Sequence, residues 1–137
     1  MATPVRADDL AFTKLVVDDL DAMADYYCAV FRLHRATRAR FEQGVGGEPI
    51  EELALVATAG DRFGALHLLK FEKRPAAAPE EVILGFTTRD LAGLIERIRR
   101  AGGSLASEVK EMPDHGIRVV FARDPEGHWN EIVEVRT

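Results

Sequence analysis

The sequence predicts an α+β fold built from two βαβββ modules. Three observations carry this. Strand-like and helix-like periodicities follow one another in the order β-α-β-β-β, the order restarts after a break at residues 73–81, and the first strand and helix of the two copies align at one offset.

Residues 11–17, Ala-Phe-Thr-Lys-Leu-Val-Val, are rich in strand formers and end at Asp18-Asp19. Over 19–31, Leu20, Met23, Tyr27, Val30 and Phe31 fall near helical spacing and form one apolar face. Arg35–Phe41 reads as a second strand and Glu42–Pro49, with three glycines and a proline, as a loop. Glu52–Thr58 is the third strand, Ala59-Gly60-Asp61-Arg62 a turn, and Ala65–Phe71 the fourth strand. Lys73–Glu81 holds two prolines, three alanines and no periodicity, which marks a linker. Val82–Thr88 then restarts the strand pattern. In Asp90–Ala101 the stripe Leu91, Leu94, Ile95, Ile98 repeats at i, i+3, i+4, i+7, and Gly102-Gly103 supplies a left-handed stop. Ser104–Met112, Ile117–Arg123 and Trp129–Val135 read as strands, with Asp124-Pro125-Glu126-Gly127 as a tight turn.

The repeat is legible residue by residue. Asp19-Leu20 and Asp90-Leu91 open the two helices 71 positions apart, and the same offset carries Phe12 to Ile83, Lys14 to Gly85 and Leu15 to Phe86. At the closing strands Gly64-Ala65-Leu66-His67 lies opposite Gly127-His128-Trp129-Asn130-Glu131, with one residue more in the second copy. The expected organisation is one domain over 1–137, with module one at about 10–72, a linker at 73–81 and module two at about 82–136.

Length, charge and cysteine content narrow the function. A chain of 137 residues suits one domain. No apolar run approaches the roughly 20 residues of a membrane span, and Met1–Asp9 lacks a basic-then-apolar signal pattern. The expectation is a cytoplasmic protein with no membrane partner. The formal charge of −5 has no basic block; Arg97, Arg99 and Arg100 beside Glu96 read as a solvated helix face, so no nucleic-acid partner is expected. Cys28 is the single cysteine, which rules out an internal disulfide and a cysteine metal cluster. It reads as a small buried hydrophobe.

Val17-Asp18-Asp19-Leu20 followed by Tyr26-Tyr27, and the run from Asp90 through Ala101-Gly102-Gly103 to Asp124-Pro125-Glu126-Gly127 and Glu131, resemble the vicinal oxygen chelate superfamily. This is the glyoxalase, bleomycin-resistance and dioxygenase group, and the likeness spans residues 10–136. The resemblance implies a glyoxalase-like fold, a curved mixed sheet around a cleft, and a homodimer. Arg32 departs from it, standing where the family usually ends the first helix on glycine. A left-handed arginine costs about 1 kcal/mol, which predicts a different helix ending.

The resemblance also implies a divalent metal acting as a Lewis acid, held by two positions per module. Here those positions are Phe12, His67, Ile83 and Glu131. Phe12 and Ile83 have no lone pair to donate, so His67 and Glu131 are the ligands if a metal binds. Two protein ligands fall short of the usual three at a catalytic zinc, and no cofactor is expected. His67 and Glu131 are the candidate catalytic pair, an acid/base unit that works without metal; His67 also reads as a buried core histidine. Phe12, Lys14, Ile83 and Trp129 are the candidate substrate-binding residues. Lys14, two residues from a ligand position, either meets Glu131 or an anionic guest, or extends to solvent. Phe71 reads as core, Tyr26 and Tyr27 as helix packing, and His128, Arg38, Arg40 and Arg123 as exposed. The expected function is binding of a small, largely apolar, oxygen-bearing molecule, with metal-independent lyase or isomerase chemistry as its catalytic form. The alternatives are a drug-binding resistance protein without catalysis and a metal-dependent lyase or dioxygenase with relocated ligands.

Overall fold

A computed structural model describes residues 8, 10–62 and 64–135. The residues read for an export signal lie outside that set apart from Asp8, as does residue 136 of module two. The elements run β1 (Phe12–Val16), α1 (Leu20–Phe31), β2 (His34–Phe41), β3 (Ile50–Val56), β4 (Ala65–Phe71), β5 (Ile83–Thr88), α2 (Leu91–Arg100), β6 (Ser104–Leu105), β7 (Lys110–Met112), β8 (Ile117–Arg123) and β9 (Trp129–Val135). No described helix is long and apolar enough to cross a membrane.

Both helices start alike. Asp19 and Asp90 are N-caps in non-helical conformation, and each carboxylate accepts from the backbone N–H three residues on, Ala22 and Gly93, at 3.0 Å. Carboxylates of module two add to this. Glu126 accepts from the N–H groups of Asp18 (2.8 Å) and Asp19 (2.9 Å), and Glu134 from that of Leu91 (2.7 Å). Glu126 thereby ties the turn of module two to the first helix of module one, at the positive end of its dipole.

The helices end differently. α2 closes on a paired glycine stop: Gly103 N–H donates to Ile98 and Gly102 N–H to Arg99, with Gly102 at φ 86°. Gly103 is required by space, since a Cβ there would lie 2.6 Å from the Tyr26 ring and 2.8 Å from the Arg123 carbonyl. α1 ends on Arg32 itself, at φ 59° and ψ 30°, so the expected avoidance of the left-handed conformation is overturned. Packing outweighs the strain: Phe31 stacks on Phe86 with centroids 3.6 Å apart, and Arg97 donates to the Val30 carbonyl at 2.9 Å.

Each module forms its own sheet, in the orders β1-β4-β3-β2 and β5-β9-β8-β6, with β7 also on β8. The first strand of each runs parallel to its closing strand, and Lys14 lies opposite His67 as Gly85 lies opposite Glu131. The repeat alignment thus holds in three dimensions. Two strands differ from expectation by more than one residue at an end. β3 is Ile50–Val56 rather than 52–58, because the Thr58 carbonyl already accepts from Asp61 N–H in the turn. Ser104–Met112 is two short strands, because the Ser107 hydroxyl takes the Phe121 N–H that a continuous ladder would use. The linker holds a short 3-10 turn at Pro79–Glu81 and is pinned where Ala76 N–H donates to the Asp18 carboxylate.

Side chains alternate across a strand, and the alternation sorts the molecule into two faces. Leu15, Leu53, Leu55, Leu66, Leu68, Leu84, Val120 and Ile132 point to the helices and share one core with Met23, Tyr27, Val30, Leu91, Leu94 and Ile98. Burying such a side chain stabilises by about 1.5–3 kcal/mol. The alternate residues, including Phe12, Lys14, His67, Ile83, Trp129 and Glu131, occupy the other face of the sheets, away from the helices.

Candidate functional site

On module one, three candidates meet. Phe12 and His67 stack face to face, with centroids 4.4 Å apart and planes 13° apart. Lys14 Nζ lies 5.9 Å from the Phe12 ring and forms an ion pair with Glu52 on β3. Lys14 therefore bonds across its own sheet rather than to Glu131. His67 is buried, and its Nε2 accepts the Gly64 N–H at 3.2 Å, which leaves the ring proton on Nδ1. Burial first, and the Lys14 ammonium second, hold its pKa below the usual histidine value. The imidazole is neutral at neutral pH. Below it Ile50, Leu69 and Phe71, with Val16, form a second apolar cluster, capped by the Arg74 guanidinium 3.6 Å over Phe71.

On module two, Ile83 lies opposite Trp129, and Glu131 lies between Gly85 and Phe121. Arg123 stacks its guanidinium 3.8 Å over Trp129, with Phe121 edge-on to the same indole. Arg123 is thus half-buried, where exposure was expected. Gly85 leaves open space beside Glu131, since a Cβ there would meet nothing within 4 Å. Glu131 is half-buried and makes no hydrogen bond or ion pair among the described residues.

Nothing described bonds His67 to Glu131. They stand on different sheets, His67 on β4 and Glu131 on β9. A cavity of about 440 Å³ opens between β1 and β5, lined by Thr13, Leu33, Ala65, Ile83, Gly85 and Phe86 among others; of the six candidate residues it takes in Ile83 alone. The large apolar side chains that strands leave exposed are Phe12 (39%), Phe41 (48%), Ile83 (58%) and Val135 (41%). All four share the face away from the helices, by the registers of Phe41 with Ile50 and Val135 with Ile117.

A polar network in the core escaped the sequence reading. His128 is 4% exposed, where exposure was expected. Its Nδ1 lies 2.8 Å from the Asp124 carboxylate and its Nε2 3.3 Å from the Val16 carbonyl. The Tyr27 hydroxyl donates to the same carboxylate at 2.7 Å, Asn130 donates to Tyr27, and Tyr26 donates to Asn130. A signal was present: Asn130 and Glu134 alternate with Ile132 on the core face of β9, so polar groups had to find partners there.

A family model for the glyoxalase/bleomycin resistance protein/dioxygenase superfamily matches residues 9–132. The chain belongs to this superfamily. Among solved structures, a glyoxalase family protein from Bacillus cereus superposes with a TM-score of 0.74 at 21% identity, covering 98% of each chain. Glyoxalase I of Leishmania major gives 0.71 at 15% identity over 93% of this chain and 87% of that one. A genomically encoded fosfomycin resistance protein of Listeria monocytogenes gives 0.65 at 14% identity over 96% of both. These likenesses show a shared fold. No curated protein sequence matches the chain.

The metal implied by superfamily resemblance can be tested against the donors here. Two of the four positions are Phe12 and Ile83, which cannot coordinate. At the third, His67 has one ring face covered by Phe12, Nε2 engaged by a backbone N–H, and an ammonium close enough to depress its pKa. The donor set does not fit a catalytic divalent ion.

Proposed function

We propose that this superfamily member binds a small, largely apolar, oxygen-bearing molecule on the face away from the helices, without a metal. The observation that carries the reading is the Phe12–His67 stack: an apolar ring lies on the imidazole at a position where the superfamily resemblance implies an ion. Phe12, Ile83 and Trp129 supply apolar contact. Glu131 accepts a hydroxyl or acid proton from the guest, and Lys14 and Arg123 favour a carbonyl or carboxylate. A few polar groups on an apolar wall are the usual make-up of a small-molecule site.

A second reading rests on Glu131. A half-buried carboxylate beside the gap at Gly85 is placed to take a proton from a guest, which is metal-independent lyase or isomerase chemistry. His67 serves there as a neutral Nδ1–H donor. Conversion of a bound guest favours this reading, and unchanged release favours sequestration of the drug-resistance kind.

Trp129 is the sole tryptophan, so its fluorescence reports on the site. Titration with aromatic ketones and carboxylic acids is expected to change its emission, whereas glutathione conjugates and bare sugars leave it unaltered. A flat response to every apolar compound rejects the reading.

We further propose a cytoplasmic homodimer. The exposed Phe12, Phe41, Ile83 and Val135 favour cover by a second copy or a guest over open water. Sedimentation at micromolar concentration should give a dimer; a monomer rejects it.

A further inference from the structure

On the helix side of the sheets a crevice of about 320 Å³ lies between the end of α1 and the start of α2, and it shares Phe86 with the cavity at β5. Three arginines line it: Arg32, Arg89 and Arg97. None makes an ion pair among the described residues. The carboxylate on the wall, Asp90, is turned to its own helix, where it accepts from Gly93 N–H at 3.0 Å. Burial first, and repulsion from Arg32 second, lower the Arg97 pKa against the attraction of Asp90. Three arginines facing one carboxylate leave the wall with an excess of positive charge, and an arriving anion offsets it.

Two further features point to a ligand rather than to a solvated surface. Arg32 holds a left-handed backbone at φ 59°, a conformation glycine adopts without strain. Strain of this kind tends to gather at functional sites, and here it falls on a residue of the crevice wall. Arg97 is fixed, its Nε donating to the Val30 carbonyl at 2.9 Å. The floor is apolar, made by the stacked Phe31 and Phe86 with Leu94 beside them.

We propose that this crevice is a second ligand site, which takes a small organic phosphate. The phosphate head lies among Arg32, Arg89 and Arg97, and a flat apolar body rests on Phe31, Phe86 and Leu94. A dianionic head suits three guanidiniums better than a carboxylate, which a single bidentate arginine already satisfies.

Phenyl phosphate is the probe, followed by calorimetry and by backbone amide shifts. It should bind more tightly than inorganic phosphate, and phenol should not bind. The shifts should centre on residues 87–94, and affinity should fall as salt rises. Arg32→Gly is the decisive variant, because it removes the charge and relieves the backbone: binding should weaken about tenfold or more, with melting temperature unchanged or raised. Arg89→Gln should weaken binding similarly. Phe12→Ala, in the other site, should leave it unchanged. The proposal is overturned if phenyl phosphate does not bind at millimolar concentration, if phenol binds as well, if both arginine variants bind within about twofold of the parent, or if the shifts map to residues 12, 83 and 129.

Discussion

Replacing Asp124 with alanine is expected to remove about 3–5 kcal/mol of folding stability, the usual cost of stripping one partner from a buried charged pair. The carboxylate is 3% exposed and accepts from the Tyr27 hydroxyl, His128 Nδ1, and the N–H groups of Glu126 and His128. Both nitrogens of His128 face oxygen acceptors, an arrangement that suits the doubly protonated imidazolium. Burial pulls the His128 pKa down, but the Asp124 bond and charge win and leave it above its ordinary 6.5. Burial likewise pushes Asp124 up, and the bonds from His128 and Tyr27 win and leave it below its ordinary 3.8.

The pH dependence follows from those signs. The His128 contribution is fully present below about pH 6.5 and is lost as pH rises through the raised folded value; the Asp124 contribution is present above about pH 4 and is lost as pH falls through the lowered folded value. The pair therefore stabilises most between about pH 4 and 6.5. Urea denaturation of the parent and Asp124→Ala should differ most in that window and less at pH 9. Asp124→Asn should lose less, since it keeps the turn bonds. A loss under about 1 kcal/mol with no pH dependence would remove the ion pair from the account.

The second large effect is on binding. Covering an aromatic side chain with a guest contributes about 1.5–3 kcal/mol, which corresponds to roughly 10–150-fold in affinity. Phe12→Ala, read by Trp129 fluorescence, and Trp129→Ala, read by calorimetry, should each weaken binding of an apolar ketone or acid within that range. Glu131→Gln should weaken hydroxyl-bearing guests and spare simple ketones. Equal affinity in all three variants would place the guest elsewhere.

Much of the fold was legible because it is written in local patterns. Ala65–Phe71, Ile117–Arg123 and Trp129–Val135 fall on their predicted bounds, since alternation and flanking turn residues agree there. The Asp19 and Asp90 caps and the 71-residue offset marked the two modules, and the closing-strand alignment matched His67 with Glu131; the parallel pairing of each first and last strand came from the structure. Where tertiary contacts compete with local preference, the sequence misled. Arg32 stays left-handed because Phe31 and Arg97 hold the helix end, and the Ser107 hydroxyl divides a continuous strand pattern into two. His128 looked like a turn residue because Val16, which its Nε2 meets, and Tyr27, which shares its Asp124 partner, lie about a hundred positions away in sequence. At the candidate site the alternation placed Lys14 on the right face but not its partner: Glu52 was invisible until β3 was paired with β4.

Metal independence is the central claim, and a single titration tests it. The protein is treated with a chelator, dialysed, and titrated with an apolar ketone or carboxylic acid while Trp129 fluorescence is recorded, with and without added zinc, nickel, iron or manganese. The same dissociation constant is expected in every case. Binding that vanishes on chelation, returns with one equivalent of a divalent ion and is lost again in Glu131→Gln would contradict it.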